Sequence, residues 1–166
     1  MSIPLAFDFT VDRQHHTITV KREFAASRPI VWDAYTRSEI LDQWWAPRPW
    51  KARTKTMDFR EGGYWLYAMV GPAGEEHWAR ADYKYIEFQK TFHGFDTFTD
   101  ANGIIIDNMP KSTWDVTFTD KGKHTQVEFH ISFDELNQLE AILQMGFKEG
   151  FTIAMEGLDE LLLTTT

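Results

Sequence analysis

The chain has 166 residues, with 25 acidic against 17 basic side chains and a formal net charge of −8. No run of Lys and Arg is present to track a phosphate backbone or hold an anionic lipid surface, which argues against nucleic acid and membrane as partners. Cysteine is absent, so disulfides, thiolate metal ligands and cysteine nucleophiles are excluded, while aromatic residues reach 15 % and include seven tryptophans.

The length is that of one domain spanning residues 1–166. So many rings in a domain this small imply either a large aromatic core or an aromatic-lined cavity. Met1–Thr10 carries Asp8, lacks a basic segment and lacks a sustained apolar run, so an export leader is not expected and the cytoplasm is the expected compartment. The first predicted strand is Thr17–Phe24, where Ile18, Val20, Arg22 and Phe24 alternate against Thr19, Lys21 and Glu23. Ser27 as N-cap and Pro29 in the first turn start a helix through about Tyr35. Ser38 caps a second short helix, Glu39–Trp45, which Pro47 and Pro49 terminate.

From Trp50 the period changes to two. Predicted strands are Lys51–Phe59, Tyr64–Val70, Glu76–Phe88, Lys90–Thr97, Ser112–Thr119 and Thr125–Phe133. Turn signals stand at Glu61-Gly62-Gly63, Gly71-Pro72-Ala73-Gly74 and Asp120-Lys121-Gly122-Lys123. The stretch Thr99–Lys111 reads as a long loop whose apolar trio Ile104–Ile106 is expected to pack down, and which could cap a cavity mouth. Asp134 then caps a predicted single long helix, Glu135–Leu163, with Leu139, Ile142, Leu143, Phe147, Phe151, Ala154, Leu158, Leu161 and Leu162 in one apolar stripe. Gly146 and Gly150 flank Phe147 one turn apart, which fits either close backbone approach or space left for a ligand. The class is α+β: six to seven antiparallel strands curled around a long C-terminal helix, with two short helices after the first strand.

Two segments carry a family likeness: Arg22-Glu23-Phe24 through Ser27-Arg28-Pro29-Ile30-Val31-Trp32 to Gln43-Trp44-Trp45-Ala46-Pro47, and Asp58-Phe59-Arg60-Glu61-Gly62-Gly63-Tyr64-Trp65. They closely resemble the START-like (SRPBCC, helix-grip) superfamily, in the branch homologous to the C-terminal domain of the heat-shock protein ninety ATPase activator. Ile18, Val20, Met57, Gly71-Pro72, Gly74, Gly150-Phe151 and Leu158 extend the resemblance over nearly the whole chain. It implies a helix-grip fold and a cavity between sheet and helix. It also places the aromatic face of the strand after Gly62-Gly63, with Trp65, Tyr67 and Met69, toward the inside. Ala73-Gly74 stands where the family commonly has aspartate-glycine.

With that face inward, the neighbouring strand turns His77, Ala79, Ala81 and Tyr83 in and Arg80, Asp82 and Lys84 out. The later strands turn in Trp114, Val116 and Phe118, then Val127, Phe129 and Ile131, leaving Glu128 and His130 outside. The predicted wall is Trp44, Trp45, Trp65, Tyr67, His77, Tyr83, Trp114, Phe147 and Phe151, a mostly apolar lining that suits a small molecule. His77 is the one ionisable group expected within it. It would hydrogen-bond a ligand or act as a general base, or be a core histidine satisfied by a backbone carbonyl or a Tyr67 or Tyr83 hydroxyl. His93 is a second candidate, because the register of Lys90–Asp96 is ambiguous with Phe92 competing for the core face.

No metal is expected, since the six histidines are scattered and His15-His16 cannot chelate from one strand face. No phosphate loop, nucleophile elbow or cofactor motif is present, so no cofactor is expected. Three functions remain. The first is a module binding a small apolar or aromatic ligand. The second is a cyclase- or hydratase-type enzyme using His77 as acid and base. The third is a chaperone ATPase-stimulating protein, ranked last because the named relative also uses an N-terminal domain that does not precede the first strand here. A chaperone or a second copy of the chain, as a homodimer, is the macromolecular partner these readings leave open.

Overall fold

A computed structural model describes residues 5–164, and the first four residues of the Met1–Thr10 stretch lie outside it. Strand β1 (Phe7–Asp12) pairs with β2 (Thr17–Phe24) in a hairpin. Its alternation of Phe7, Phe9 and Val11 with Asp8, Thr10 and Asp12 is as regular as that of β2, and it corrects the count from six or seven strands to eight. Helices α1 (Arg28–Thr36) and α2 (Ser38–Trp44) follow, then β3 (Lys51–Met57), β4 (Tyr64–Val70), β5 (Glu76–Glu87), β6 (Thr91–Thr99), β7 (Ser112–Asp120) and β8 (Thr125–Ser132). All pairings are antiparallel in the order β1-β2-β8-β7-β6-β5-β4-β3, so the two helices carry the chain from β2 to the far edge and a meander returns it.

The local start signals are partly corrected. Ser27 occupies the N-cap of α1 with extended backbone and Pro29 sits in the first turn, but the hydroxyl makes no capping bond. Arg37, rather than Ser38, caps α2, and Glu135, rather than Asp134, precedes the first C-terminal helix. What holds α2 is tertiary. The Trp44 indole donates to the Ala34 carbonyl of α1 at 2.9 Å, and Asp42 accepts from both the backbone N–H and the hydroxyl of Thr54 on β3.

The single long helix resolves into α3 (Leu136–Gln144) and α4 (Phe147–Leu162). Gly146 has φ +87°, a left-handed conformation that L side chains rarely adopt, and its N–H bonds the Leu143 carbonyl. It is thus a helix stop and not an interior residue. Gly150, the second glycine of the expected pair, lies against Pro47, where a Cβ would make ordinary contact at 3.5 Å. Buried Phe151, Ala154, Met155, Leu158 and Leu162 form the face of α4 that packs into the core. At its C-terminal end Asp159 pairs with Arg22 of β2, whose guanidinium also donates to the Glu23 carbonyl and lies over the Phe24 ring.

The stretch after β6 lies on the outside of the sheet and not over the inner face. Ile105 bridges to Thr99, the Ala101 carbonyl accepts from Lys55, and a Cβ on Gly103 would touch Leu66 at 3.5 Å. This cover is why Leu66 and Trp65, on opposite faces of β4, are both only 4 % exposed. The isoleucine trio does not pack down: Ile104, Ile105 and Ile106 are 64 %, 43 % and 39 % exposed.

Between Tyr83 and Tyr85 the β5–β6 register shifts, a bulge opposite Gly94. A Cβ there would sit 1.9 Å from the Asp82 carbonyl oxygen, so the strands approach where only glycine fits. Gly157, in the middle of α4, has nothing within 4 Å of an added Cβ. Gly157→Ala should therefore stabilise the fold by about 0.5–1 kcal/mol. Gly94→Ala, which must displace backbone, should cost more than about 2 kcal/mol. Urea unfolding of the two variants checks this, and a neutral Gly94→Ala would contradict the close approach.

Candidate ligand cavity

The register assembles the inner face as rows across the sheet. One row runs Met57, Trp65, Ala81, Asp96, Ser112, and the next runs Tyr83, Gly94, Trp114, Ile131, Ile18. Small residues at Ala81 and Gly94 meet large rings on both sides. A cavity of about 40 Å³ opens there, with Trp45, Trp65 and Trp114 among its walls, Ala81 and Gly94 on the sheet side, and Leu41 of α2 and Tyr35 of α1 opposite.

The indoles are fixed by their N–H groups. Trp45 donates to the Tyr67 hydroxyl at 3.0 Å, Trp65 to the Thr54 hydroxyl at 3.0 Å, and Trp114 to the Ser112 hydroxyl at 2.9 Å. A tryptophan that leaves its N–H unpaired in the interior would lose the whole cost of desolvating it, so each bond holds its ring in one orientation. Trp45 meets Trp65 and Trp114 with ring centres 5.6 and 6.3 Å apart.

Among the predicted wall residues, Trp45, Trp65, Tyr83 and Trp114 line the cavity. Four others form the layer behind them. Tyr67 stacks on Trp65 at 3.9 Å, Trp44 packs on Tyr35 at 4.8 Å, and Phe147 and Phe151 stack at 5.2 Å with Phe151 edge-on to Trp45 and Trp114. His77 is elsewhere. It pairs with Met69 near the outer end of β5, is exposed, and its ring rests 5.3 Å from Trp50. Strand alternation put it on the correct face, but the strand runs past the covered part of the sheet before reaching it. His93 faces outward, 2.5 Å from Asp115.

A model of the family described as "Activator of Hsp90 ATPase homolog 1-like protein" matches residues 25–163. The chain belongs to this family. A crystal structure of a Mycobacterium smegmatis protein is similar over 98 % of this chain and 100 % of that one, at 28 % identity and TM-score 0.88. A solution structure of an Arthrobacter aurescens protein covers 92 % of this chain and 88 % of its own, at 26 % identity and TM-score 0.86. The AHSA1 protein of Silicibacter pomeroyi, 15 % identical with TM-score 0.71 over 90 % of this chain and 99 % of its own, shows the same fold. No curated protein matches. The α+β helix-grip architecture expected from the sequence is thus the fold of this activator-homologue family.

The inner face brings the carboxyl of Asp96, and not His77, to this family member's cavity, while Asp82, also at the wall, turns its carboxylate to Arg80. Phe92 wins the core face of β6, meeting Trp32, Phe59, Tyr83 and Phe118, and alternation then turns Gly94 and Asp96 in with it and His93 out. The spacing of Phe92 to Asp96 contained this signal, and a choice of Phe92 over His93 would have found it. The Asp96 side chain is partly exposed and makes no hydrogen bond within the protein, and its carboxyl is pushed up to about 7, chiefly by loss of water around it and secondarily by the charge of Asp82. Burial, together with the Asp96 charge, also raises the Tyr67 and Tyr83 phenols above their ordinary value and keeps them neutral.

An acid whose pKa is about 7 folded and 3.8 unfolded holds more protons in the folded state between those values. Its contribution to stability is therefore lost as pH rises through that window. Asp96→Asn removes the titration and keeps the shape. It should raise the melting temperature over the parent at pH 8 and leave it nearly level at pH 4. Circular-dichroism melts at both pH values check this, and an equal difference at both would show that Asp96 ionises freely.

Proposed function

We propose that this chain is a cytoplasmic binding module that encloses a small apolar or aromatic molecule between the inner sheet face and helices α1 and α2, with α4 packed behind the wall rather than lining it. The observation that carries this reading is the cavity walled by Trp45, Trp65 and Trp114, at the sheet–helix contact where the helix-grip fold leaves its gap. At about 40 Å³ it has room for a few waters, against the roughly 300–1,000 Å³ of pockets for drug-sized ligands. Uptake therefore displaces a ring. Trp45 is the candidate, because it is only partly buried, stands at the end of α2 just before Pro47, and is held by one hydrogen bond to Tyr67.

The acid–base alternative built on His77 lacks its geometry, since that ring is on the surface beside Trp50. The family's name supports measuring stimulation of Hsp90 ATPase as the second assay.

The neutral fluorophore N-phenyl-1-naphthylamine should bind the protein, brighten and quench tryptophan emission. Tyr67→Phe, which releases Trp45, should strengthen that binding severalfold, a lost neutral hydrogen bond being worth about 0.5–1.5 kcal/mol. Ala81→Phe should fill the space and weaken binding at least tenfold, with a melt to confirm folding because overpacking costs about 1–3 kcal/mol. Absence of binding by both the parent and Tyr67→Phe overturns the reading.

A further inference from the structure

The polar groups of the cavity differ in what they leave for a guest. The indole N–H groups of Trp45, Trp65 and Trp114 are already donated to Tyr67, Thr54 and Ser112. Among the lining groups without a partner are the buried Tyr35 hydroxyl and Asp96, of which Asp96 is the one that ionises near neutral pH. It lies in the same cross-sheet row as Trp65 and Ala81, lines the cavity, and has no hydrogen-bond partner. Packing alone gives no reason for a carboxyl there, since an unpaired acid among rings costs stability without filling the space better than an apolar side chain.

The charge that acts on it most, that of Asp82, has its own sign. Asp82 of β5 faces the outer side, where Arg80 takes both of its oxygens, and Tyr67 of β4 and Tyr83 of β5 are neutral phenols. On the cavity wall, α1, α2, β7 and β8 present Tyr35, Leu41, Trp45, Trp114, Val116 and Phe129, none of them charged at neutral pH. Among the described residues, no Lys, Arg or His lines the cavity. Indole faces are themselves negative and attract cations, more strongly when water is excluded. A carboxylate among ring faces, with no base to neutralise it, repels an anionic headgroup and has one complement.

We propose that Asp96 is the headgroup-recognising residue of the cavity, and that the cavity takes a compact amine in its protonated form, ammonium against the carboxylate and hydrocarbon against Trp45, Trp65 and Trp114. The inference rests on the binding reading above and adds the chemical class of the ligand. Binding of the cation requires ionised Asp96. With the carboxyl titrating at about 7, its ionised fraction rises about tenfold from pH 6 to pH 8, and amine affinity rises with it.

The test is displacement of N-phenyl-1-naphthylamine by three molecules that share a ring and differ in headgroup: benzylamine, benzyl alcohol and benzoate. Benzylamine should compete at least tenfold better than benzyl alcohol at pH 8, lose about tenfold at pH 6, and release a proton on binding near neutral pH. Benzyl alcohol should be indifferent to pH, and benzoate should not compete. In Asp96→Asn the advantage of benzylamine over benzyl alcohol and its pH slope should disappear, each measured against that variant's own fluorophore affinity. Fluorophore binding without an amine preference, or an amine preference that survives Asp96→Asn, overturns the inference and leaves the binding module standing. Failure of the fluorophore and all three competitors to bind overturns both.

Discussion

A continuous train of aromatic rings crosses the interior and governs where the rest of the molecule sits. It runs from Phe59 through Trp32, Phe118, Tyr35, Trp45, Trp114 and Phe147 to Phe9, with successive ring centres 5.0 to 6.5 Å apart. Tilted and edge-on contacts at these distances contribute about 0.5–1.5 kcal/mol per pair beyond burial. Their geometric demand matters as much as their energy. A flat ring packs well in few orientations, and an indole must also find an acceptor. Thr54, Tyr67, Ser112 and the Ala34 carbonyl meet that demand, and in doing so they fix α2 against α1, β3 and β4.

The C-terminal helix needs a second anchor, because an apolar stripe alone allows it to slide along the sheet. Arg22 and Asp159 supply one. Arg22 points inward from β2 with 6 % of its surface exposed, and its pairing with Asp159 sets the register of α4. Burial raises the Asp159 carboxyl and Arg22 lowers it again, with burial the larger effect. Such a pair adds little net stability over apolar side chains, but breaking it would strand a charge in the interior at about 3–5 kcal/mol. Its contribution is to position. The helix break at Gly146 leaves α3 free to take its own angle, tied to the β1–β2 turn by Arg13 and Glu140.

Rigid rings and one unpaired acid give the cavity its character. Members of a fold family share the space between sheet and helix and differ in the groups that line it, so chemistry has to be read from the lining. Here the indole N–H groups of Trp45, Trp65 and Trp114 are occupied and Asp96 is not. The proposed amine selectivity rests on that asymmetry, where composition alone describes only an aromatic core.

Much of this was legible in the sequence. Period-two alternation placed Ile18, Val20, Arg22 and Phe24, then Val116 and Phe118, then Val127, Phe129 and Ile131 on the buried face, because side-chain direction in a strand is a local property. Pro29, Gly62-Gly63 and the pair Pro47 and Pro49 marked real boundaries for the same reason. Local rules ended where a choice depended on partners far along the chain. Whether Phe92 or His93 faced inward was decided by Trp32, Phe59 and Phe118, and with it the position of Asp96. How far along β5 the cover extends was decided by α1 and α2, elements distant in sequence, which left His77 outside. Gly146 ended a helix that its apolar stripe would have continued, because the backbone there is left-handed. The sequence by itself determined which residues alternate and which rings are buried. Only the tertiary structure decided which buried side chains meet, and therefore that a carboxyl rather than a histidine stands in the cavity.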